Sequence, residues 1–176
     1  LEATAGECRA KGAQVATTAL DLTERAGVEK ALAGLGTVDV LFNNVGQSAR
    51  ERSKPFHESD PDTWRFVLNV SLVTTMLVSR QIVPGMRERG AGRIINMSTE
   101  SAFYGDLGMV DYASAKMGVI GFTRSLAREL APFRELARGE LRMIMTAHIV
   151  FPQIDPGTPA TMSKVFLQDI LRCEHD

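Results

Sequence analysis

Hydrophobic positions alternate along the chain between short continuous runs and helical spacing, and this pattern predicts strands separated by helices. Residues 1–12 have the character of the end of a helix, and residues 13–20 are rich in apolar and β-branched side chains, which predicts a strand. Asp21 or Thr23 is expected to cap the helix that follows. The run 37–42 is almost continuously apolar, as buried parallel strands are. Strand, helix and strand with short connections indicate an α/β fold.

The middle of the chain repeats this alternation with longer elements. The polar and basic residues 47–60 predict a loop. Asp60 and the proline after it predict the start of a long helix, apolar on nearly every side, that kinks or breaks at Pro84. Residues 92–97 form the next predicted strand. A second helix that is apolar on several faces is expected over residues 112–130.

The pattern is harder to interpret after residue 132. Residues 141–145 have the composition of a strand, and residues 160–173 could form one helix. We therefore interpret residues 1–176 as a single domain with a recognisable core over 1–132 and a divergent region over 133–176.

Composition and charge narrow the classes of function. Hydrophobic residues make up 44% of the chain and charged residues 23%, with a formal net charge of -1. These values are ordinary for a globular protein and give no reason to expect nucleic acid or a membrane surface as a partner. The two cysteines lie near opposite ends and the three histidines are scattered, so we expect no metal site and a reducing, cytoplasmic location.

Tyr112 and Lys116 are four residues apart at the start of an apolar stretch, which places them on one face of a helix, one turn apart. A phenol loses its proton near pH ~10, and a neighbouring ammonium lowers that pKa. The pair is therefore a candidate for general acid–base catalysis. Because this spacing recurs by chance, a surface or packing role for the two residues remains the alternative.

Four short motifs that follow one another along the chain favour the catalytic interpretation of Tyr112 and Lys116 over a surface or packing role. Each lies at the end of a predicted strand or on a predicted helix: Asp21-Leu22, Asn43-Asn44-Val45-Gly46, Asn69-Val70 and Tyr112-x-x-x-Lys116. In order and spacing, the chain resembles the short-chain dehydrogenase/reductase family over roughly residues 13–133. Residues 45–60 and 96–106 look most like the reductases and dehydrogenases of 3-oxoacyl or hydroxyacyl thioesters.

The resemblance implies a Rossmann-like, doubly wound parallel sheet with its ligands outside the carboxyl ends of the strands. It implies NAD or NADP as cofactor, with no basis for choosing between the two. Asp21 and Leu22 would lie near the adenine. The four residues Asn43, Asn44, Val45 and Gly46 would run beside the adenosine ribose; an ordinary turn after a strand is the alternative for them.

The resemblance also implies a mechanism. Tyr112 would protonate a carbonyl as hydride arrives from the nicotinamide, or act as base in the reverse direction. Lys116 would lower the pKa of Tyr112 and hold the nicotinamide ribose, and both residues would therefore contact the cofactor. Asn69 would hold a water that links Lys116 to solvent, or would be an ordinary polar helix residue.

The catalytic hydroxyl departs from the usual serine of the family. Counting back from Tyr112 by the family's interval reaches Thr99, which has the same hydroxyl on a stiffer, β-branched side chain. We take Thr99 as the group that binds the substrate carbonyl, with Ser98 and Ser101 as rivals. At least two of the three hydroxyls are expected to bond only local backbone.

Two larger departures concern the cofactor site. The glycine-rich phosphate loop that would follow the family's first strand is absent from the sequence, and so is the closing strand. Pro156 and Gly157 are expected to be a displaced form of the family's Pro-Gly loop at the cofactor. We therefore interpret the chain as an incomplete member of the family, apparently truncated at both ends.

Substrate and assembly are open to more than one interpretation. Arg50, Arg52 and Lys54 follow the Asn43–Gly46 motif, and we hypothesise that they attract the phosphates of an acyl-CoA or acyl-carrier protein. A solvated loop whose charges do nothing specific is equally consistent with the sequence. The apolar helices around 62–83 and 112–131 predict a homodimer or homotetramer, unless they are buried within one subunit. A catalytically inactive fragment, or a dimerising interaction protein without cofactor binding, is the alternative to an oxidoreductase.

Overall fold

A three-stranded parallel sheet forms the centre of the computed structural model, which describes residues 1–130 and, for the backbone only, residues 141–147. Its strands are β1 (Val40–Asn43), β2 (Gly92–Ser98) and β3 (Leu141–Ala147), in the order β1-β2-β3. Asn43 pairs with Asn96, and Ser98 pairs with Ala147. The parallel α/β arrangement predicted from the sequence is confirmed, and the segment 141–145 is a strand as expected.

Helices connect the strands and cover the sheet. Their bounds are α1 Glu2–Ala10, α2 Arg25–Leu32, α3 Pro61–Leu68, α4 Thr74–Arg89, α5 Ser101–Tyr104 and α6 Val110–Leu130. Two 3₁₀ turns, Arg50–Arg52 and Phe56–Glu58, lie within the loop that was expected over residues 47–60. The predicted helix 160–173 lies outside the described residues, as does most of the divergent region.

The predicted strand at residues 13–20 does not form. A β-strand is stable only when a neighbouring strand satisfies its backbone N–H and C=O groups. No strand among the described residues pairs with this segment, and of its side chains only Val15 and Leu20 are even partly buried. A composition rich in β-branched residues is therefore not sufficient by itself to form a strand.

The predicted cap of α2 is also wrong. Glu24 stands at the N-cap position and makes no side-chain cap bond. Instead, the carboxylate of Asp21 accepts hydrogen bonds from the backbone N–H of Thr23 at 2.8 Å and from its hydroxyl at 2.7 Å. Asp21 thus stabilises a local turn before the helix, an interaction that competes with capping.

The long apolar helix forms as predicted, with one interruption. Asp60 caps it by accepting from the N–H of Asp62 at 3.0 Å, and the segment Asn69–Val73 between α3 and α4 is a π-helix. The helix does not break at Pro84 and continues to Arg89, where Gly90 ends it with a φ of 65°. By length and composition Pro61–Arg89 could cross a membrane, but core helices share this property; here it packs on β1, β2 and α6.

The core lies between α4, α6 and one face of the sheet. Ile82, Met86 and Ile94 form one buried hydrophobic cluster of this core. β1 is less buried than its apolar composition predicts, since Val40 is 53% and Phe42 48% exposed. Among the described residues nothing packs fully over these two side chains, so the face of β1 that carries them is open.

A buried polar network connects the sheet to the two long helices. The amide of Asn43 donates to Ser79 Oγ at 3.1 Å and to Asn96 Oδ1 at 2.8 Å. Asn96 in turn donates to Thr123 Oγ1 at 2.9 Å, and that hydroxyl donates to the carbonyl of Val119. Because buried polar groups are costly when unpaired, this network fixes α4 and α6 relative to β1 and β2.

Candidate active site

A cleft with a volume of about 350 Å³ opens at the carboxyl ends of β1 and β2. This is where ligands bind in open parallel sheets. Its walls come from the loop after β1, the end of β2 and the first turns of α6. The lining residues are Asn44, Gly46, Met97, Ser98, Thr99, Glu100, Tyr112 and Lys116.

Tyr112 and Lys116 meet in the cleft because they lie one turn apart on α6. The Nζ atom of Lys116 is 5.8 Å from the centroid of the Tyr112 ring. Lys116 is only 3% exposed, and its ammonium donates a hydrogen bond to the backbone carbonyl of Met97 at 2.9 Å. The end of β2 therefore fixes the position of the charge.

The two ionisable groups are shifted in opposite directions, for the same reason. Burial disfavours the charged form of each, so it lowers the pKa of Lys116 and raises the pKa of Tyr112. The positive charge of Arg50 partly opposes the rise in the pKa of Tyr112. The pKa of the phenol is thus raised, whereas the Tyr–Lys spacing predicts that it is lowered. The reason is that desolvation has a larger effect on this pKa than the positive charge of Arg50.

The three candidate hydroxyls occupy different environments. Ser98 is buried and donates to the backbone carbonyl of Lys116 at 3.1 Å. Thr99 is partly buried and lines the cleft, and within residues 1–130 its hydroxyl has no side-chain hydrogen bond. Ser101 begins α5 and does not line the cleft. Of the three hydroxyls, the one on Thr99 is best placed to meet a ligand.

The motif after β1 divides into a structural and a cleft-lining part. Asn43 is buried in the polar network beneath the cleft, and Val45 is exposed. Asn44 and Gly46 line the cleft. A Cβ atom at Gly46 would lie 2.9 Å from Lys116 Nζ, so a side chain at this position would have to displace the ammonium.

Other predicted residues lie away from the cleft. Asn69 is exposed at the start of the π-helix, and Asp21 and Leu22 lie in the turn before α2. Arg52 lies over the ring of Phe66, with 5.5 Å between the guanidinium carbon and the ring centroid. Other predicted residues fall outside the described chain: Pro156 and Gly157. Within residues 1–130, no group of three or more His, Cys, Asp or Glu side chains could hold a metal ion.

Arg50 lies close to the cleft without lining it. Its guanidinium is 3.4 Å from Met109 Sδ and 3.9 Å from the carboxylate of Asp106. These contacts join the loop after β1 to the loop before α6. The preceding residue, Ala49, is buried and has a φ of 47°, an uncommon conformation for a residue other than glycine.

Sequence reasoning did not identify three contributors to the site. The Met97 carbonyl is a backbone group, which no side-chain pattern reveals. Glu100 lines the cleft next to Thr99, and only its position directly after a strand end could have indicated this. Ser71 holds the backbone of Gln47; it is one of many polar residues on a helix, so its sequence context gives no signal.

Comparison with known proteins shows relatives for most of the chain. A family model described as short chain dehydrogenase matches residues 1–137. Nodulation protein G from Azospirillum brasilense is 45% identical over 107 residues, which is 61% of this chain and 42% of that protein. An acetoacetyl-CoA reductase from Cupriavidus necator is 33% identical over 144 residues, 81% of this chain and 52% of that protein. The 3-oxoacyl-acyl-carrier-protein reductase FabG of Vibrio harveyi is 36% identical over 117 residues, 64% of this chain and 47% of that protein.

Solved structures agree with these relatives. A short-chain dehydrogenase from Streptomyces avermitilis superposes with a TM-score of 0.72 at 25% identity, covering 83% of this chain and 52% of that one. A putative gluconate dehydrogenase from Agrobacterium tumefaciens gives a TM-score of 0.72 at 26% identity, covering 83% and 55%. The chain thus spans about half the length of the relatives that it matches. With a family match over residues 1–137, a Rossmann-like sheet and the Tyr–Lys cleft at its carboxyl edge, this chain belongs to the short-chain dehydrogenase family.

Proposed function

We propose that this chain carries the catalytic centre of an NAD(P)-dependent oxidoreductase that interconverts a carbonyl and a secondary alcohol. One observation carries the proposal: a phenol, a buried ammonium and a hydroxyl that has no side-chain partner among residues 1–130 line a single cleft at the carboxyl edge of a parallel sheet. These are a proton donor, a fixed positive charge and a hydrogen-bond donor for a substrate oxygen.

The cleft residues fit the nicotinamide end of a dinucleotide. Lys116 has three N–H groups, and among the described residues it makes one hydrogen bond, to the carbonyl of Met97. The remaining donors suit ribose hydroxyls, and the bare backbone of Gly46 allows a ligand to approach closely. When bound there, the nicotinamide would supply or accept the hydride.

The protein's own residues would manage the proton and the charge. Tyr112 is protonated at neutral pH, because a phenol ordinarily titrates near pH ~10 and burial raises its pKa further, so it can donate its phenolic proton to a carbonyl oxygen as the alcohol forms. The phenolate left behind would lie beside the Lys116 ammonium, which stabilises it. The Thr99 hydroxyl would hold the same substrate oxygen. In the reverse direction Tyr112 would take the proton back.

Acyl thioesters are the substrates that we propose. Two of the relatives are named for acetoacetyl-CoA and for 3-oxoacyl-acyl-carrier-protein. Arg50 is exposed close to the cleft and Arg52 is exposed two residues further along the same loop, and both would attract the phosphates of such carriers. Replacing both arginines with alanine should raise KM for acetoacetyl-CoA but leave KM for a small neutral ketone unchanged. An equal rise for both substrates would contradict this part of the proposal.

Binding of the dinucleotide is the first test. The 176-residue chain would be titrated with NADH and NADPH while nicotinamide fluorescence is followed, and Lys116→Ala would serve as the control. Saturable binding that is lost in the variant is the expected result, and it would also choose between the two dinucleotides. No binding up to millimolar concentrations would contradict the oxidoreductase proposal for this chain and favour an inactive or purely interacting protein.

Self-association through the two long helices is part of the proposal. Met76 on α4 and Met117 on α6 are large apolar side chains that remain exposed. Two helices that leave apolar surface uncovered suit an interface with a second copy of the chain. Sedimentation velocity should show a dimer or a tetramer, and Met117→Glu should shift it towards the monomer. A monomer at all concentrations would exclude this interface.

A further inference from the structure

The π-helical segment Asn69–Val73 lies directly behind the cleft. The N–H of Thr74 donates to the carbonyl of Asn69, five residues back, which is the widened bond of a π-helix. The hydroxyl of Thr74, the first residue of α4, donates to the carbonyl of Val70 at 2.7 Å. Such turns occur frequently at functional sites.

The widened turn carries Ser71 towards the loop after β1. Ser71 is 0% exposed. Its hydroxyl accepts from the backbone N–H of Gln47 at 3.1 Å and donates to the carbonyl of the same residue at 3.0 Å. One side chain therefore holds both polar backbone groups of Gln47, the residue that follows Gly46.

The next residue of the segment holds the opposite wall. Leu72 packs so closely on Gly118 of α6 that a Cβ atom at that glycine would lie 2.8 Å from Leu72 Cδ2. Gly118 is two residues beyond Lys116 on the same helix. Ser71 and Leu72, adjacent in sequence, thus fix the two sides of the cleft relative to each other.

Gly46 and Lys116 meet where these two walls converge. A Cβ atom at Gly46 would lie 2.9 Å from Lys116 Nζ and 3.5 Å from Ser71 Oγ. The approach of the Gly46 backbone to the ammonium therefore depends on where the loop is held, and Ser71 holds it through Gln47. A shift of the loop by an ångström would move a cleft wall relative to the charge.

We propose that Ser71 is a positioning residue of the site, which holds the Gly46–Gln47 backbone against Lys116 so that this wall of the cleft is in place when a dinucleotide binds. This inference deepens the proposed function and rests on it for the identity of the ligand. The hydroxyl touches neither substrate nor cofactor; it acts through the backbone of Gln47.

Ser79 provides a matched control on the same helical stretch. It is also a serine at 0% exposure with a hydrogen-bonded hydroxyl, which accepts from Asn43 in the polar network. Ser79→Ala removes a buried hydroxyl without touching the Gly46–Gln47 loop. A generally structural effect of losing a buried serine should appear in both variants, whereas a positioning effect should appear only at Ser71.

The experiment has two readouts, of which the first needs no cofactor. Amide hydrogen exchange by NMR in the free chain reports on the Gln47 N–H, whose hydrogen bond goes to Ser71. We expect Ser71→Ala to raise its exchange rate roughly tenfold, while Ser79→Ala leaves it unchanged. In a titration with NADH, we expect the Kd to be roughly tenfold higher for Ser71→Ala than for the wild type, and unchanged for Ser79→Ala. Ser71→Thr keeps the hydroxyl and should therefore restore part of the affinity for NADH.

Several results would overturn the inference. Unchanged exchange at Gln47 in Ser71→Ala would mean that the hydroxyl does not hold the loop. Equal losses of NADH affinity in the Ser71 and Ser79 variants would reduce its role to general packing. If the wild-type chain binds no dinucleotide, the proposed function fails, but the exchange measurement still decides whether Ser71 holds the loop. If Ser71→Ala does not fold, Ser71→Cys keeps the volume with a weak donor and takes its place.

Discussion

The buried ammonium of Lys116 donates its hydrogen bond to the backbone carbonyl of Met97, 2.9 Å away at the end of β2. A strand terminus therefore determines where the charge lies, and the position of that charge determines which part of the cleft favours negative groups. The arrangement has an energetic cost, because an ammonium that is removed from water is satisfied by one carbonyl dipole and no carboxylate among the described residues.

Replacing Lys116 with methionine should stabilise the fold while it abolishes activity. Burial lowers the pKa of Lys116, so the folded chain binds this proton less tightly than the unfolded chain does. The free-energy cost of burying the charged lysine is fully present below the lowered pKa of the folded chain. It disappears as the pH rises towards the ordinary lysine pKa of ~10.4. At neutral pH we expect Lys116→Met to raise the free energy of unfolding by about 1 kcal/mol in urea denaturation.

The control for this prediction is Lys116→Arg, which keeps the charge and should give no gain in stability. The advantage of the methionine variant should also shrink as the pH approaches 10, near the ordinary lysine pKa. A methionine variant that is less stable than the wild type at every pH would show that the hydrogen bond to Met97 outweighs the cost of burial.

Replacing Tyr112 with phenylalanine should remove catalysis and leave the fold and the dinucleotide site nearly intact. Loss of a general acid typically lowers kcat by about 10²–10⁴-fold, whereas the ring and its packing remain. Reduction of acetoacetyl-CoA measures the rate, and NADH titration measures the site. Tyr104→Phe is the matched control, because Tyr104 is 84% exposed on α5. A kcat within threefold of wild type would exclude Tyr112 as the proton donor.

Arg50 should influence the ionisation of Tyr112 in a direction that can be measured directly. Its positive charge lowers the pKa of the phenol, against the larger effect of burial, so Arg50→Gln should raise that pKa further. The chain has only two tyrosines, and a Tyr104→Phe background leaves Tyr112 as the sole phenolate signal in an absorbance titration. Because Arg50 is exposed, the difference should fall at high salt. A difference that is independent of salt would point to a conformational cause.

The sequence indicated which residues come together in one cleft, because its motifs depend on local rules. A Tyr and a Lys four residues apart meet on any helix, and residues directly after parallel strands meet at one edge of the sheet. This is why Asn44, Gly46, Thr99, Tyr112 and Lys116 line one cleft. The direction of the pKa shift of Tyr112 was not predictable, since it depends on the depth of burial, which is a property of the packed chain.

Errors in the fold prediction have a common origin in tertiary context. Residues 13–20 have the composition of a strand but lack a pairing partner, and composition does not report on partners. Val40 and Phe42 belong to a strand that was predicted to be buried, yet one of its faces is open. In contrast, the Asp60 cap and the strand predicted over residues 92–97 depend on interactions with near neighbours or on a long apolar run, and both form, the strand as Gly92–Ser98.

The polar network under the cleft should be the most sensitive part of the fold to single substitutions. Asn96 is 0% exposed, accepts from Asn43 and donates to Thr123, so Asn96→Ala removes one buried hydrogen bond from each of these partners and leaves a cavity in the core. We expect a loss of about 2–3 kcal/mol in the free energy of unfolding, measured by urea denaturation. Thr123→Val is the graded control, because it removes only one bond of Asn96 and should cost about half as much. Equal costs for the two variants would mean that the bond between Asn43 and Asn96 contributes little, and that α6 rather than β1 depends on the network.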